Sequence, residues 1–196
     1  MPTTTAANIN RPIDPLDLQS YPLAWKVVAV LIGTLFLALS SYIAVPLWPV
    51  PVTMQTFAVT LVGAVYGWRL GGITITAWLL QGALGLPVLA GGAAGVLKFV
   101  GPTAGYLFAF PLAGMLVGWL VGRGWNGHRV KLAFLAMLAG NALCLVLGAA
   151  WLAVLIGAEQ AVMAGVVPFL LGTVLKSALG AATLNVMVQG AKRIAQ

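Results

Sequence analysis

Long stretches without a charged residue alternate along this chain with short stretches that hold nearly all of the charge. A helix needs about 20 apolar residues to cross the hydrocarbon of a bilayer. By that measure residues 23–45, 53–68, 72–89, 103–121, 131–156 and 161–188 read as six spans. The second is short and borrows from its flanks. The third is interrupted near its end by Gly85 and Pro87, and a re-entrant pairing of the second with the third would leave five. The pattern predicts an all-α, polytopic membrane bundle of six transmembrane helices, filling residues 21–196 as one membrane domain. Residues 1–20 are polar, contain Pro2, Pro12 and Pro15, and read as a cytoplasmic tail. The first apolar run is too long for the core of a signal peptide and no small-x-small cleavage site follows it.

Composition agrees with the pattern. The 196 residues are 61% hydrophobic and only 7% charged, which no ordinary water-soluble domain matches. The formal net charge of +7 does not point to nucleic acid, because the basic residues are scattered between spans and form no stripe. Their placement points instead to orientation. Of the ten Lys and Arg, Arg11, Lys26, Arg69, Arg123, Arg129, Lys131, Lys192 and Arg193 fall on one side of a six-span chain. Lys98 and Glu159 fall on the other. Basic loops stay in the cytoplasm, so both termini are expected there, in a multi-pass protein of the cytoplasmic membrane.

The outward connections have a composition of their own. Residues 45–53 read VPLWPVPVT, and 86–101 read LPVLAGGAAGVLKFVG. Proline and glycine make these poor helices, yet they are too apolar for solvated loops. Irregular apolar backbone at this depth is tolerated where it packs on protein or lines a cavity. They read as lids over a pocket open to the outside, with interfacial anchoring by Trp48 as the plainer alternative.

Lys176 is the one charge in the otherwise uncharged apolar segment 161–188. Insertion scales put a Lys near the bilayer centre at roughly 2.5–3.5 kcal/mol, so such residues commonly serve function. The three acids of the chain, Asp14, Asp17 and Glu159, all lie outside the spans. Lys176 thus has no carboxylate partner in the membrane part of the chain, and an anionic group on a small molecule is the first candidate. Snorkelling to an interface and pairing with helix-end carbonyls stay open as alternatives. On the same helix face lie Gly172, Thr173 and Gly180. Glycines there allow a neighbouring helix or a ligand close to the backbone.

Gln55, Gln81, Asn141 and Asn185 are the other strong polar groups of the spans. Each can donate and accept, as recognition of an amide-like ligand requires, and each could equally bond a neighbouring helix. Gln55, beside the first lid, is the best placed of them. Residues 101–106, GPTAGY, open the fourth span with Thr103 as N-cap, and the positive end of that helix could receive a polar ligand group. Tyr106 adds a flat ring and a hydroxyl. Enzyme signatures are missing from the sequence. His128 is the single histidine, Cys144 is the single cysteine and reads as a core residue, and no HExxH, GxSxG or P-loop pattern occurs. No catalytic residue, metal site or cofactor is therefore assigned, and the chain carries no motor for ATP hydrolysis.

Three ordered motifs and the Lys176 segment resemble a known family. PLWPVPVTMQT (46–56), GALGLPVLAGGAAG (82–95), GPTAGYLFAF (101–110) and LGTVLKSAL (171–179) are similar to the BioY family, the biotin-binding membrane component of energy-coupling-factor vitamin transporters. The resemblance runs from about residue 35 to 184. It implies a six-helix vitamin-binding bundle with the site near the outer face under the first and third connections, and high-affinity biotin uptake. Uptake of another vitamin or small carboxylate is the alternative. The family also implies a transmembrane coupling subunit and two ATP-binding subunits; a chain working alone or as an oligomer stays open. Small residues on the first helix (Ala29/Gly33, Thr34/Ala38, Ser40/Ala44) would face that partner. The expected substrate contacts are Lys176, Thr173, Tyr106, Gln55, Thr103 and Gln81. Family members typically carry an Asp three residues before the lysine, where this chain has Thr173. An Asp there would accept from the ureido N–H groups of biotin and neutralise the lysine, whereas a threonine can accept one such bond but cannot neutralise the charge.

Overall fold

A computed structural model describes residues 22–194 of the chain; the expected tail at 1–20 lies outside the described residues. The helices are α1 (Leu23–Tyr42), α2 (Gln55–Ala83), α3 (Ala104–Gly122), α4 (Val130–Ile156), α5 (Ala158–Gly165) and α6 (Leu170–Ile194). Among the described residues, five stretches are long and apolar enough to cross a membrane: α1, α2, α3, α4 and the run Ala158–Gly190. Two residue pairs, β1 (Ala44–Val45) and β2 (Val52–Thr53), form a small antiparallel ladder after α1, with Ala44 opposite Thr53. The chain is thus a helical membrane-type bundle, as its apolar pattern predicts, with one short hairpin that the pattern does not.

α2 holds two of the expected spans. At Gly67 its backbone leaves helical geometry, with φ 73° and ψ 171°, a conformation essentially restricted to glycine. A Cβ built on Gly71 would lie 2.9 Å from the Gly63 Cα, although uninterrupted helix would separate the two residues by about 12 Å. The arms 55–66 and 68–83 therefore fold back on each other. The second arm ends at Ala83 rather than at residue 89, and Leu84 begins the glycine-rich connection.

The last expected span, 161–188, is not one helix. α5 stops at Gly165, Val167–Phe169 make a single 3-10 turn, and α6 begins at Leu170. Pro168 causes the break, since it lacks an N–H and its ring excludes the carbonyl one turn back. An apolar count passes over that residue because its neighbours are all hydrophobic.

Inside a bilayer, lipid is as apolar as leucine, so helices associate through close packing of small residues. α2 and α3 follow that rule. A Cβ on Gly63 would overlap the Gly114 carbonyl, and one on Gly118 would lie 2.6 Å from the Gly63 oxygen and from the Trp68 nitrogen. On α4, a Cβ at Gly140 would meet Thr60 Cγ2 at 3.0 Å. On α6, Gly180 admits Met137, with its sulfur 3.1 Å from the Cβ position. Tyr66 ties α2 to α1 by donating to the Ala29 carbonyl at 2.9 Å. The opposite face of α1, including Leu31, Ile32, Leu35 and Leu39, is exposed and apolar, as a lipid-facing surface is.

These contacts sort the bundle into two ends. The connections 43–54 and 84–103 lie at one end, with Lys98 and Glu159. The Gly67 reversal and the connection 123–129 lie at the other, with Lys26, Arg69, Arg123, Arg129 and Lys131. There the Arg123 guanidinium sits 3.7 Å from the Trp119 ring centre, and that of Arg69 4.8 Å from Trp68. Paired aromatic and basic side chains suit a membrane interface.

Candidate functional site

A cavity of about 520 Å³ opens at the end that carries the two apolar connections. Its size is that of a small-molecule site. Its floor and walls come from the starts of α2 and α3, the middle of α4 and the first turns of α6. Both connections overhang it, through Pro49, Val50 and Pro51 on one side and Leu89, Ala90, Ala93, Ala94, Leu97 and Lys98 on the other.

The glycine-rich connection is irregular but not loose. Tyr42 donates to the Pro87 carbonyl at 2.6 Å and Trp78 Nε1 to Val88 O at 2.9 Å. Leu89 is only 2% exposed and lies against Gly82, where a Cβ would come 2.7 Å from it. Gly85, Gly91, Gly92 and Gly95 take positive φ, which lets this stretch turn repeatedly without helix or strand. Beyond that strap, Val96, Leu97 and Val100 are exposed. The reading of both connections as covers of a pocket fits this arrangement.

Lys176 reaches the cavity from α6. Its Nζ donates to the Thr53 carbonyl at 2.6 Å and to Thr56 Oγ1 at 3.2 Å. The carbonyl belongs to strand β2 and not to a helix end, so the lysine pairs with the hairpin that precedes α2. An ammonium has three donors, and these two oxygens take two of them. No carboxylate pairs with it among the described residues. The polar wall around it is built in series. Thr53 Oγ1 donates to Gln55 Oε1 at 2.8 Å, and Gln55 Nε2 donates to Ser41 Oγ at 3.1 Å. Gln55 is 4% exposed; it lines the cavity while fixing the strand residue whose carbonyl receives Lys176. Thr173, one turn before the lysine, is buried and lines the same wall.

Tyr106 and Thr103 also line the cavity, with differences from expectation. The Tyr106 hydroxyl donates to the Gly165 carbonyl at 2.8 Å, so the ring face is what it offers a ligand. Phe169 stacks on it at 6.1 Å between centres. Gly148 and Gly165 make room for that ring: a Cβ on Gly148 would overlap its edge, and one on Gly165 would lie 2.6 Å from its oxygen. Phe110, stacked on Trp78 at 5.9 Å, continues the aromatic wall. Thr103 holds the N-cap position of α3, but its φ and ψ of −87° and −7° are helical and its side chain makes no capping bond.

Gln81 does not line the cavity. Its Nε2 lies 3.5 Å from Thr34 Oγ1 on α1. It sits on the α2 arm that faces α1, a direction that spacing along the chain does not reveal. Asn185 is likewise remote, donating to Gly127 O at 2.8 Å at the far end of the bundle. Asn141 does line the cavity. The cavity-lining residues that the sequence did not single out include Thr53 and Thr56, which flank Gln55 within the 46–56 motif, and Phe110 and Phe169; Cys144, read as a core residue, lines the cavity as well. A hydrophobic run gives no sign that some of its members line a pocket.

The sequence matches the model of the BioY family over residues 10–193. It is 39% identical over 156 residues to a probable biotin transporter BioY of Pyrococcus horikoshii, covering 78% of this chain and 91% of that one. It is 34% identical over 161 residues to the biotin transporter BioY2 of Lactococcus lactis subsp. cremoris, covering 79% and 85%. In fold it resembles a crystal structure of the S-component for biotin from an ECF-type ABC transporter, with a TM-score of 0.77 over 87% of this chain and 95% of that one, at 24% identity.

Proposed function

The chain belongs to the BioY family, and from that premise we propose that it is the substrate-binding membrane component of a biotin uptake system, not an enzyme. The observation that carries the reading is the cavity itself: about 520 Å³, largely apolar, roofed by two apolar connections, with the Lys176 ammonium set in a short polar wall. Biotin is a compact bicycle with an aliphatic acid chain, and an apolar pocket with few fixed polar groups suits such a ligand.

In this reading Lys176 holds an oxygen of biotin, either the carboxylate or the ureido oxygen, with the donor left after Thr53 and Thr56. The rings of Tyr106, Phe110 and Phe169, which line the cavity, flank the bicycle. Thr173 accepts from a ureido N–H, Thr103 offers its hydroxyl near the α3 start, and Gln55 positions the Thr53 carbonyl. Counting the two arms of α2 separately, the chain crosses the cytoplasmic membrane six times with both termini inside. The clustering of Arg69, Arg123, Arg129 and Lys131 at the end remote from the cavity supports that orientation. The cavity then faces outward, where a scarce vitamin is captured. Accumulation requires energy that this sequence has no P-loop to supply, so the partners are a transmembrane coupling subunit and two ATP-binding subunits.

Binding of radiolabelled biotin to the purified full chain tests the assignment. Loss of charge-assisted hydrogen bonding in Lys176→Ala is expected to weaken binding by about 10–150-fold. Undiminished affinity in that variant, or wild-type protein indifferent to biotin, would sink it. Stabilisation by a different vitamin in a thermal-shift panel would redirect it to another substrate.

A further inference from the structure

Asn141 is the least explained polar group of the cavity wall. It sits at mid-length on α4, is 1% exposed, and lines the cavity. Its Nδ2 donates to Met137 O at 3.0 Å and to Ser177 Oγ at 3.1 Å. The Ser177 hydroxyl spends its own proton on the Thr173 carbonyl at 2.7 Å, so both neighbours of Nδ2 are acceptors. That fixes which way the amide points. A flipped amide would set Oδ1 against two acceptor oxygens, so nitrogen must face them and oxygen must face away. Oδ1 is buried and has no hydrogen-bond partner among the described residues. A buried acceptor left without a donor costs about 1–3 kcal/mol, and such groups in native proteins are rarely without a reason.

We infer that Asn141 is a specificity-determining residue of this site, its Oδ1 accepting a hydrogen bond from an N–H of the bound ligand. This rests on the proposed function, in which the ligand is biotin and the N–H belongs to its cyclic urea. The position suits the role. Ser177 links Asn141 to Thr173, and Lys176 is the adjoining residue on α6. An N–H acceptor on α4 and an ammonium on α6 match the two kinds of polar atom that a urea presents, donor N–H and acceptor C=O. A urea held between them has its oxygen directed to Lys176. The same pair also explains how a wall with Thr173, and no carboxylate, still discriminates. A threonine oxygen supplies one modest acceptor, and the rigid amide oxygen of Asn141 supplies a second that no protein group competes for.

The test uses biotin and its two cyclic-carbamate analogues, in each of which a ring oxygen replaces one ureido N–H. These preserve shape and remove a single donor. Affinities are measured on the purified full chain, wild type and Asn141→Leu. Wild type is expected to bind one of the two carbamates about 10–100-fold more weakly than biotin, because Oδ1 is then left facing an oxygen. In Asn141→Leu that discrimination should collapse to within about threefold. A purely structural role would weaken biotin and both carbamates alike and leave the ratio intact, which overturns the inference. So does wild-type protein that binds biotin and both carbamates equally, a result that needs no variant to fold. Wild-type protein that fails to bind biotin at all refutes the functional reading beneath it, and the two failures are thereby distinct.

Discussion

A methyl group added at Gly148 has nowhere to go. The Cβ of Gly148→Ala would overlap the Cδ1 and Cε1 edge of Tyr106. That ring cannot move aside cheaply. It is 6% exposed, stacked on Phe169 and pinned by its hydroxyl to Gly165 O at 2.8 Å. Overpacking of this kind costs about 1–3 kcal/mol. If the ring swings toward the cavity to escape, it also gives up its hydrogen bond, about 1 kcal/mol more. The sum, roughly 2–4 kcal/mol, is expected as a clear drop in melting temperature of the detergent-purified protein, together with at least a tenfold loss of biotin affinity. The control is the same substitution in Tyr106→Ala. With the ring gone the methyl meets open space, and its added penalty should fall below about 0.5 kcal/mol. An equal penalty in both backgrounds, or none in the first, would refute the account of Tyr106 as a wedge between α4 and α5.

Three further outcomes follow from the geometry. Gly67→Ala forces a side chain into φ 73°, ψ 171° and should destabilise the chain by about 1–3 kcal/mol; a wild-type melting curve would contradict the reversal of α2 there. Tyr42→Phe removes the strap to the Pro87 carbonyl and is expected to speed biotin dissociation several-fold with little change in stability, an effect that stopped-flow or filter-binding release rates would expose or rule out. In a Cys144→Ala background, a cysteine at Lys98 should react with an impermeant maleimide on intact cells, whereas one at Arg123 should react only after permeabilisation. The reverse labelling pattern would invert the proposed topology.

Much of the bundle was legible in the sequence because a bilayer imposes one rule on every span: a stretch of apolar residues of sufficient length. That rule found α1, α3 and α4 nearly to the residue. It was blind where a break has an apolar disguise, as at Pro168, and at the β1–β2 ladder, whose two strands flank a proline-rich turn. Lys176 stood out because an unpaired charge is conspicuous against an uncharged background. The amides did not sort themselves in the same way. Gln55, Gln81, Asn141 and Asn185 are chemically alike and similarly placed in apolar runs, yet Gln81 turns to α1, Asn185 to the connection at 123–129, and Gln55 and Asn141 to the cavity. Their directions are set by helix rotation about an axis, and packing of glycines against neighbours decides that rotation. Nor does a tyrosine in a motif disclose that its hydroxyl is already taken by a carbonyl from a segment 59 residues away.

The glycine contacts beneath the cavity bear on how anything could pass through this protein. Gly63, Gly114 and Gly118 bring the backbones of α2 and α3 into direct touch. A hydrophobic plug made of side chains can be opened by turning a few bonds, on a timescale of nanoseconds. A seam of bare backbone has no such hinge: nothing in it rotates out of the way. Along this seam, material held at the cavity end can go further only if the two helices part. At this seam the molecule is a cup and not a pipe, closed at its base by backbone and not by side chains that could turn aside.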